Sequence, residues 1–370
     1  MERLIWTLAV VATLSACTDR SFTPTVPEAL EVGTNYAVFA ASSRQIEDNG
    51  NYGFKRADSL SLLELTVSIP PGHEPGSLDF GYANPDPHSQ FTMAGRKQFA
   101  SPEAFQARIN ETMRNFEAGQ REVTIFVHGY NATQAETAFR AAQLANDFEI
   151  PGAVLVYSWP SKGKPLAYAY DSDSALFARD GLEQLIRSVK SAGAKRVVLV
   201  AHSMGSRVAM EALRQIDIKD PGWAARNLGG VILVSPDLDV QVFRTQMNRL
   251  AKVPKPFVVF VSEKDKALNV SSRLRGNQES QRLGNISSIE LIRDLPIEVV
   301  DTTAFAKNAG STHFIPATSP ALLAILKDAR ALNRTFGPDR SSIELLLTGV
   351  DLRNEGATEI VLTQNQDDPR

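Results

Sequence analysis

Hydrophobic residues follow three different spacings along this chain. An apolar run over residues 4–14 is too short for the roughly 20 residues that a membrane-spanning helix requires. Between residues 36 and 101, short apolar runs alternate with turn clusters such as Pro70-Pro71-Gly72, which predicts a β-rich N-terminal extension. From residue 102 onward, apolar runs alternate with segments of helical spacing.

The region after residue 102 predicts the core of the fold. Continuous β-branched and aromatic runs are typical of strands covered on both faces, and they occupy residues 123–127, 153–157, 197–201, 231–234 and 257–261. The segments between them place apolar residues three or four positions apart, as in helices with one face toward a sheet. This alternation predicts an α/β fold with a mostly parallel sheet, helices on both faces, and ligands at the carboxyl ends of the strands.

The same patterns divide the chain into segments. One folded domain is predicted over residues 36–334, including the β-rich extension at 36–101. Residues 17–35 are polar and contain Pro24 and Pro27, so we expect a tether without packing contacts. Residues 335–370 form a C-terminal tail whose structure the pattern does not define, although residues 341–348 and 358–363 are candidates for extended segments.

Composition excludes several classes of protein and site. The chain has 370 residues, of which 43% are hydrophobic, and its 39 basic and 42 acidic side chains give a net charge of −3. These values disfavour intrinsic disorder and a cationic nucleic-acid binder. A single cysteine rules out an intrachain disulfide and a cysteine-rich zinc site. The phosphate-loop, dinucleotide and zinc-protease motifs are also missing, so no metal or cofactor is predicted.

The single cysteine, Cys17, closes the N-terminal apolar run. The sequence Leu14-Ser15-Ala16-Cys17 resembles a bacterial lipoprotein box, so residues 1–16 are predicted to be a signal peptide and Cys17 the lipidated first residue of the mature chain. An ordinary cleaved signal peptide is the alternative. Lipidation would attach the protein to the cell envelope, with the globular part in the periplasm. Thr18 after the cysteine favours the outer over the inner membrane.

A candidate nucleophile follows the strand at 197–201. The sequence Ala201-His202-Ser203-Met204-Gly205 approximates the G-x-S-x-G elbow, with alanine in place of the first glycine, and a helical segment follows it. In such an elbow the serine lies at a strained turn with its hydroxyl exposed. The alternative is that Ser203 only caps the helix.

A serine nucleophile needs a base and an orienting carboxylate. In enzymes with this elbow the chain order is serine, acid, histidine, and His313 is the only histidine after Ser203. Asp265 follows the second strand beyond the elbow, which makes it the favoured acid. Asp237 follows the first strand and is the second candidate, and Asp301 is the third.

Backbone amides are the expected oxyanion donors. The amide of Met204 follows the nucleophile, and the amide of Tyr130 lies in the turn His128-Gly129-Tyr130-Asn131 after an earlier strand. His128 is expected to hold that turn rather than titrate in catalysis. The loop from Trp159 to the tyrosines at 168 and 170 either walls an acyl pocket or is a surface loop with its tryptophan tucked beneath it.

These motifs together resemble the bacterial α/β-hydrolase family DUF900. The resemblance covers about residues 36–330 and is carried by residues 38–44, 126–131, 157–161, 201–205, 235–239 and 262–268. The chain departs from the family in Ala41-Ser42-Ser43 of the opening strand and in Thr312, where a glycine is usual before the histidine. The family implies an α/β-hydrolase fold and esterase- or lipase-like chemistry.

The expected function is therefore hydrolysis of carboxylic esters through an acyl-enzyme, with a small acyl ester or a lipid as substrate. Thioesterases, amidases and acyltransferases use the same parts, because fold and triad fix neither the leaving group nor the acceptor. The alternative from another class is a catalytically inactive hydrolase fold that serves as an interaction module of the cell envelope.

Overall fold

Ten strands form one sheet in the computed structural model, which describes residues 20, 22–118, 121–164, 167–274, 281–286, 289–326 and 357–362. The strands are β1 Thr34–Ile46, β2 Tyr52–Ile69, β3 Thr92–Gln98, β4 Glu122–Val127, β5 Ala153–Ser158, β6 Arg196–His202, β7 Leu228–Val234, β8 Phe257–Val261, β9 Glu298–Asp301 and β10 Thr358–Val361. Each of the five apolar runs named above coincides with one of the strands β4 to β8.

The strands lie in the order β10-β9-β8-β7-β6-β4-β5-β1-β2-β3. All pairings from β10 to β1 are parallel, and the pairings of β1 with β2 and of β2 with β3 are antiparallel. The predicted α/β fold class with a mostly parallel sheet is therefore confirmed. The parallel arrangement brings the carboxyl ends of β4, β6 and β8 to one edge, where the chemistry is expected.

Helices cover both faces of this sheet. They are α1 Pro102–Arg114, α2 Gln134–Asp147, α3 Tyr168–Phe177, α4 Arg179–Ser191, α5 Gly205–Lys219, α6 Trp223–Asn227, α7 Val240–Arg249, α8 Lys266–Leu274 and α9 Ile315–Thr318. Side chains of β6 alternate between two apolar clusters: Val197 and Leu199 pack on the side of α4 and α5, whereas Val198 and Val200 face the side of α2. Burial on both faces explains why this strand is a continuous apolar run.

The N-terminal segment differs from the expected tether. Residues 27–31 form a 3-10 helix, and Ala29 within it is fully buried. The N–H of Val26 donates to the Met93 carbonyl at 2.8 Å, and the Ser68 hydroxyl donates to the Ala29 carbonyl at 2.8 Å. Packing therefore occurs where none was predicted, because the neighbouring strands β2 and β3 offer backbone and side-chain partners that a local polar pattern does not reveal.

Several sequence predictions fall outside the described residues. Cys17, the predicted signal peptide at 1–16 and the segment at 341–348 are among them. Of the predicted extended segment at 358–363, residues 358–361 form β10. Within the described part of the chain, no helix combines the length and apolar character needed to cross a membrane.

Candidate active site

Ser203 lies at the turn between β6 and α5, at the carboxyl edge of the sheet. Its φ of +52° is left-handed, a conformation that is uncommon for a residue other than glycine and that costs free energy locally. The Ser203 N–H donates to the Val234 carbonyl at 3.0 Å, and the Ser203 carbonyl accepts from the Asp237 N–H at 3.2 Å. The backbone here has the form of a nucleophile elbow, with a strand before the strained serine and a helix after it.

Two close approaches pack the loop after β4 against this turn. A Cβ on Gly205 would lie 2.3 Å from the His128 carbonyl oxygen, and a Cβ on Gly129 would lie 2.9 Å from the Cβ of Ser203. Only glycine fits at these two positions. The packed loop leaves Ser203 only 5% exposed as a whole residue.

The structure pairs His313 with Asp265. His313 Nδ1 lies 2.7 Å from Asp265 Oδ2, and Asp265 is fully buried in the loop after β8. Its other oxygen, Oδ1, accepts from the N–H groups of Ala267 and Leu268 at 3.0 and 3.1 Å, at the start of α8. A carboxylate held in this way accepts the Nδ1 proton of the imidazole and leaves Nε2 as the acceptor of the ring.

His202, the residue before Ser203, holds the loop that contains His313. Its Nε2 lies 3.1 Å from the His313 carbonyl oxygen, and its ring stacks on Phe314 with centroids 4.1 Å apart. Burial, with a contribution from neighbouring His313, lowers the pKa of His202 well below its ordinary value. The ring is therefore neutral, and Nε2–H donates to the carbonyl. Sequence reasoning gave His202 no role, because its partner lies 111 positions away.

The other two candidate acids have different partners. Asp237 bonds to the Tyr168 hydroxyl at 2.6 Å and the Ser271 hydroxyl at 2.9 Å, and it lies 3.3 Å from Arg282 Nε. These contacts join α3, α8 and the segment that contains Arg282. Asp301 Oδ1 accepts from the Thr303 N–H at 2.8 Å at the end of β9. Of the three aspartates, it is Asp265 that bonds to the His313 ring.

The two predicted oxyanion donors lie in the segments that meet at Ser203. Met204 is the buried N-cap residue of α5 and directly follows the serine. Tyr130 directly follows Gly129, whose backbone abuts Ser203. The Tyr130 ring packs edge-on against Tyr168 with centroids 5.6 Å apart. The geometry thus brings the loop after β4 and the first turn of α5 to the same side of the nucleophile turn.

His128 fixes this loop from beneath. Its Nδ1 lies 2.7 Å from the Gly129 carbonyl oxygen, and its Nε2 lies 3.2 Å from Arg44 Nη2. Burial, and then the charge of Arg44, lowers the pKa of His128 to about 3. The Trp159 carbonyl oxygen also lies 3.0 Å from Nε2. The neutral ring carries one N–H: it donates from Nδ1 to the Gly129 carbonyl when Nε2 accepts from Arg44, and from Nε2 to the Trp159 carbonyl in the other tautomer. These contacts agree with the expectation that His128 holds the loop and does not titrate in catalysis.

Arg44, at the end of β1, is a buried cation that sequence reasoning did not place in the site. It is 2% exposed. Its guanidinium donates to the Ser158 hydroxyl at 2.8 Å and to the carbonyls of Ala132, Ser161 and Gly53 at 2.8, 2.9 and 3.1 Å. Through these bonds Arg44 ties β1 to the loops after β4 and β5. The arginine of residues 38–44 was part of the family resemblance, which was the one available signal for it.

The loop after β5 has its tryptophan tucked beneath it. Trp159 is fully buried, its ring stacks on His128 with centroids 4.9 Å apart, and its Nε1–H donates to the His128 carbonyl at 2.7 Å. Of the two interpretations left open by the sequence, the structure therefore favours the tucked tryptophan for Trp159. Tyr168 instead reaches the site region through its contacts with Tyr130 and Asp237.

Metal chemistry has no candidate centre in the described ranges. Within them, no group of three or more histidine, cysteine, aspartate or glutamate side chains is arranged to hold a metal ion. The groups gathered at the carboxyl edge are instead a serine, an imidazole, a carboxylate and backbone amides, which are the components of acyl transfer.

The comparison with protein families identifies the chain. Residues 101–330 match the family described as alpha/beta hydrolase of unknown function (DUF900). The chain belongs to this family. The predicted resemblance is thereby confirmed, and the α/β-hydrolase fold with it. Ser203, His313, Asp265, Met204 and Tyr130 all lie inside the matched range of this DUF900 protein.

Solved structures similar to this DUF900 protein include a lipase, a cutinase and an esterase. Aspergillus fumigatus lipase B is 13% identical with a TM-score of 0.34, over 61% of this chain and 59% of the lipase. Trichoderma reesei cutinase in complex with a phosphonate inhibitor is 14% identical with a TM-score of 0.23, over 37% of this chain and 66% of the cutinase. The Pyrococcus furiosus esterase PF2001 is 11% identical with a TM-score of 0.28, over 70% and 82%. The match thus spans less than two thirds of the lipase and of the cutinase. No curated protein matches the chain.

Proposed function

We propose that this protein is a serine hydrolase that cleaves carboxylic esters through an acyl-enzyme. The observation that carries the proposal is the 2.7 Å contact between His313 Nδ1 and Asp265 Oδ2 at the same sheet edge as the strained Ser203. A carboxylate that binds Nδ1–H leaves the Nε2 lone pair free to take a proton. This arrangement supports a Ser-His-Asp triad with Asp265 as the acid.

In the first half-reaction, Ser203 Oγ attacks the ester carbonyl carbon while His313 Nε2 takes the hydroxyl proton. The amides of Met204 and Tyr130 donate to the oxyanion, and removal of one such donor typically costs about 2.7–4 kcal/mol of transition-state stabilisation. The imidazolium then protonates the departing alkoxide, so an alcohol leaves and Ser203 is acylated. In the second half, His313 deprotonates water, which attacks the acyl carbon, and the carboxylic acid leaves as Ser203 recovers its proton.

Fluorophosphonate labelling tests this proposal. The purified protein should form a covalent adduct at Ser203 and hydrolyse p-nitrophenyl butyrate, and Ser203→Ala should abolish both. Ser235→Ala is the matched control, because Ser235 follows the adjacent strand β7 and also has a left-handed φ, of +44°. An adduct on another residue would mean that this other residue, and not Ser203, is the nucleophile. A folded protein that forms no adduct would support the inactive interaction module instead.

We also propose that Cys17 is lipidated and anchors the protein to the bacterial cell envelope, with the globular part in the periplasm. The small residues before Cys17 and its place after a short apolar run support the anchor. Cys17→Ala should leave the protein unprocessed or soluble, as judged by detergent partitioning and intact mass. A mature wild-type protein that begins at another residue and has no acyl chains would contradict the anchor.

A further inference from the structure

Arg20 joins the N-terminal segment to the loops at the edge of the sheet where Ser203 lies. Its Nη1 donates to Asn131 Oδ1 at 2.8 Å and to the Gly163 carbonyl at 2.7 Å, and its Nη2 donates to the Asn131 carbonyl at 3.0 Å. The same guanidinium pairs with both carboxylate oxygens of Glu136, at 2.8 and 2.9 Å from Nη2. Arg20 thus contacts the loop after β4, the loop after β5 and the first turn of α2.

These partners place Arg20 beside the proposed oxyanion loop. Asn131 directly follows Tyr130 and has a left-handed φ of +60°. Glu136 also completes the capping box of α2 with Thr133, so the carboxylate that receives Arg20 is itself fixed by a helix N-terminus. The Glu136 side chain is 12% exposed, and a bidentate arginine–carboxylate pair in such a setting is directional as well as strong. The position of Arg20 is therefore coupled to that of the site.

The contacts of Arg20 with Asn131, Gly163 and Glu136 form a clamp, and this clamp shortens the free part of the chain between Cys17 and the folded domain. Two residues lie between Cys17 and Arg20, so their Cα atoms are three residue steps apart and lie within about 11 Å of each other in any conformation. If the chain were free up to Thr34, at the start of β1, the Cα atoms of Cys17 and Thr34 could lie as far as about 60 Å apart. An anchor at Cys17 would therefore be held near the carboxyl edge of the sheet and could not reach the opposite edge.

The surface next to the clamp has the composition of a membrane-contacting rim. Phe22, two residues after Arg20, is 39% exposed, and Lys164, next to Gly163, is exposed. Each of these residues lies within two positions of a residue of the clamp, and an exposed aromatic ring together with an exposed cation favours contact with an anionic lipid surface.

We infer that Arg20 orients the anchored protein so that the Ser203 site faces the bilayer, and that its substrate is an ester-linked lipid of that membrane. The inference rests on the proposed hydrolase function and on lipidation of Cys17. It identifies the substrate as a lipid that reaches the site from the membrane surface rather than as an ester from solution.

A distance measurement tests the orientation without reference to activity. Since Cys17 is the only natural cysteine, Lys164→Cys and Lys195→Cys each provide one free thiol for a fluorophore in the lipidated protein. Lys195 lies just before β6, at the opposite edge of the sheet from Lys164. In phosphatidylglycerol vesicles that contain a nitroxide-labelled lipid, quenching should be at least threefold stronger at 164 than at 195. A flexible 20-residue insertion between Thr18 and Asp19 should bring this ratio close to one.

A second variant tests the clamp itself. Arg20→Ala should also lower the quenching ratio, whereas Arg226→Ala should keep it, because Arg226 is an ion-paired surface arginine in α6, just before β7 begins. Equal quenching at the two labels in the wild type, a ratio that survives the insertion, or a protein that does not bind the vesicles would each overturn the inference.

Activity then tests the substrate. On vesicles that contain a fluorogenic phospholipid ester, the insertion variant should be about twentyfold slower than the wild type, because effective concentration falls with roughly the −3/2 power of tether length. Its hydrolysis of soluble p-nitrophenyl butyrate should not change. If the insertion lowered the hydrolysis of both substrates equally, the inference that the substrate is a membrane lipid would be wrong. A wild-type protein that hydrolyses neither substrate would contradict the proposed hydrolase function. The quenching ratio would then still test whether the Ser203 edge faces the bilayer.

Discussion

Asp265 uses its two carboxylate oxygens for two different tasks: Oδ2 bonds to His313 Nδ1 at 2.7 Å, and Oδ1 caps helix α8. The cap fixes the carboxylate in a fully buried position, so the orientation of the imidazole depends on a helix N-terminus rather than on a flexible loop. A buried, capped carboxylate is held with little freedom, which is what orientation of a catalytic base requires.

This geometry makes a prediction for Asp265→Asn. Asparagine can keep the cap through its oxygen, but its NH₂ group would face His313 Nδ1 and favour the tautomer with the proton on Nε2. That tautomer cannot accept the Ser203 proton, so kcat for p-nitrophenyl butyrate should fall by about 10³- to 10⁴-fold with little loss of stability. Steady-state kinetics and thermal unfolding measure the two effects.

Asp237→Asn is the control for this substitution. It changes the same functional group one strand earlier, where the carboxylate contacts Arg282 and Tyr168. Its effect on kcat should be at least tenfold smaller than that of Asp265→Asn. The opposite ranking would identify Asp237, in the loop after β7, as the acid of the triad.

The proposed oxyanion loop, residues 128–131, is held by Arg44, which lies outside the matched family range. Arg44→Lys retains the positive charge but loses the planar guanidinium, which donates hydrogen bonds to Ser158, Ala132 and the other acceptors at the same time. Since buried acceptors without donors are costly, the free energy of unfolding should fall by about 2–4 kcal/mol, and kcat should fall as the loop loses its position. Urea titration and ester kinetics measure these changes.

Arg56→Lys provides the comparison for Arg44→Lys. Arg56 is an exposed arginine on the neighbouring strand β2. Its substitution should alter the free energy of unfolding by less than about 0.5 kcal/mol, as is usual for surface positions. If Arg44→Lys and Arg56→Lys had the same free energy of unfolding, Arg44 would not support the loop after β4.

The sheet could be predicted because its strands are specified locally. Residues 123–127 and 197–201 are runs of β-branched, aromatic and aliphatic residues, and burial on both faces of a parallel sheet produces that composition. The positions of Ser203 and Asp265 at the strand ends followed from the same pattern, because the carboxyl ends of parallel strands share one edge.

Contacts between distant parts of the chain could not be predicted in this way. Arg20 meets Asn131 across 111 positions, and Arg44 meets His128 across 84, so no local periodicity reports either pair. The tether prediction failed for this reason, since the partners of Val26 lie on β3. The close packing of Gly129 against Ser203 was also not predicted, because Gly129 lies in the loop after β4.

The buried histidines predict how stability depends on pH. The pKa of His128 is about 3 in the folded protein and is expected near 6.5 when unfolded, so between these values the unfolded state binds more protons. Stability should therefore fall as the pH is lowered from about 6.5 toward 3, by up to about 1.4 kcal/mol per pH unit for each such histidine. His202, whose pKa is also lowered, adds a change of the same sign.

Urea titrations at pH 7, 6, 5 and 4 measure this slope. His128→Gln should reduce the slope, because the variant no longer has a buried imidazole to protonate at that position. His88→Gln, at an exposed position before β3, is the comparison. A slope that changes no more in His128→Gln than in His88→Gln would show that His128 is not a neutral buried group in the folded protein.

Members of a catalytic triad act as a unit, which makes a prediction for combined substitutions. Ser203→Ala and His313→Ala should each lower kcat for p-nitrophenyl butyrate by about 10⁴- to 10⁶-fold, and the double variant should be within about tenfold of either single variant. Once Ser203 is lost, the imidazole at 313 has no nucleophile to activate, so its removal costs little more. Losses that multiply in the double variant would mean that the two residues act independently. In that case His313 would not be the base for Ser203, and its 2.7 Å contact with Asp265 would serve the fold rather than catalysis.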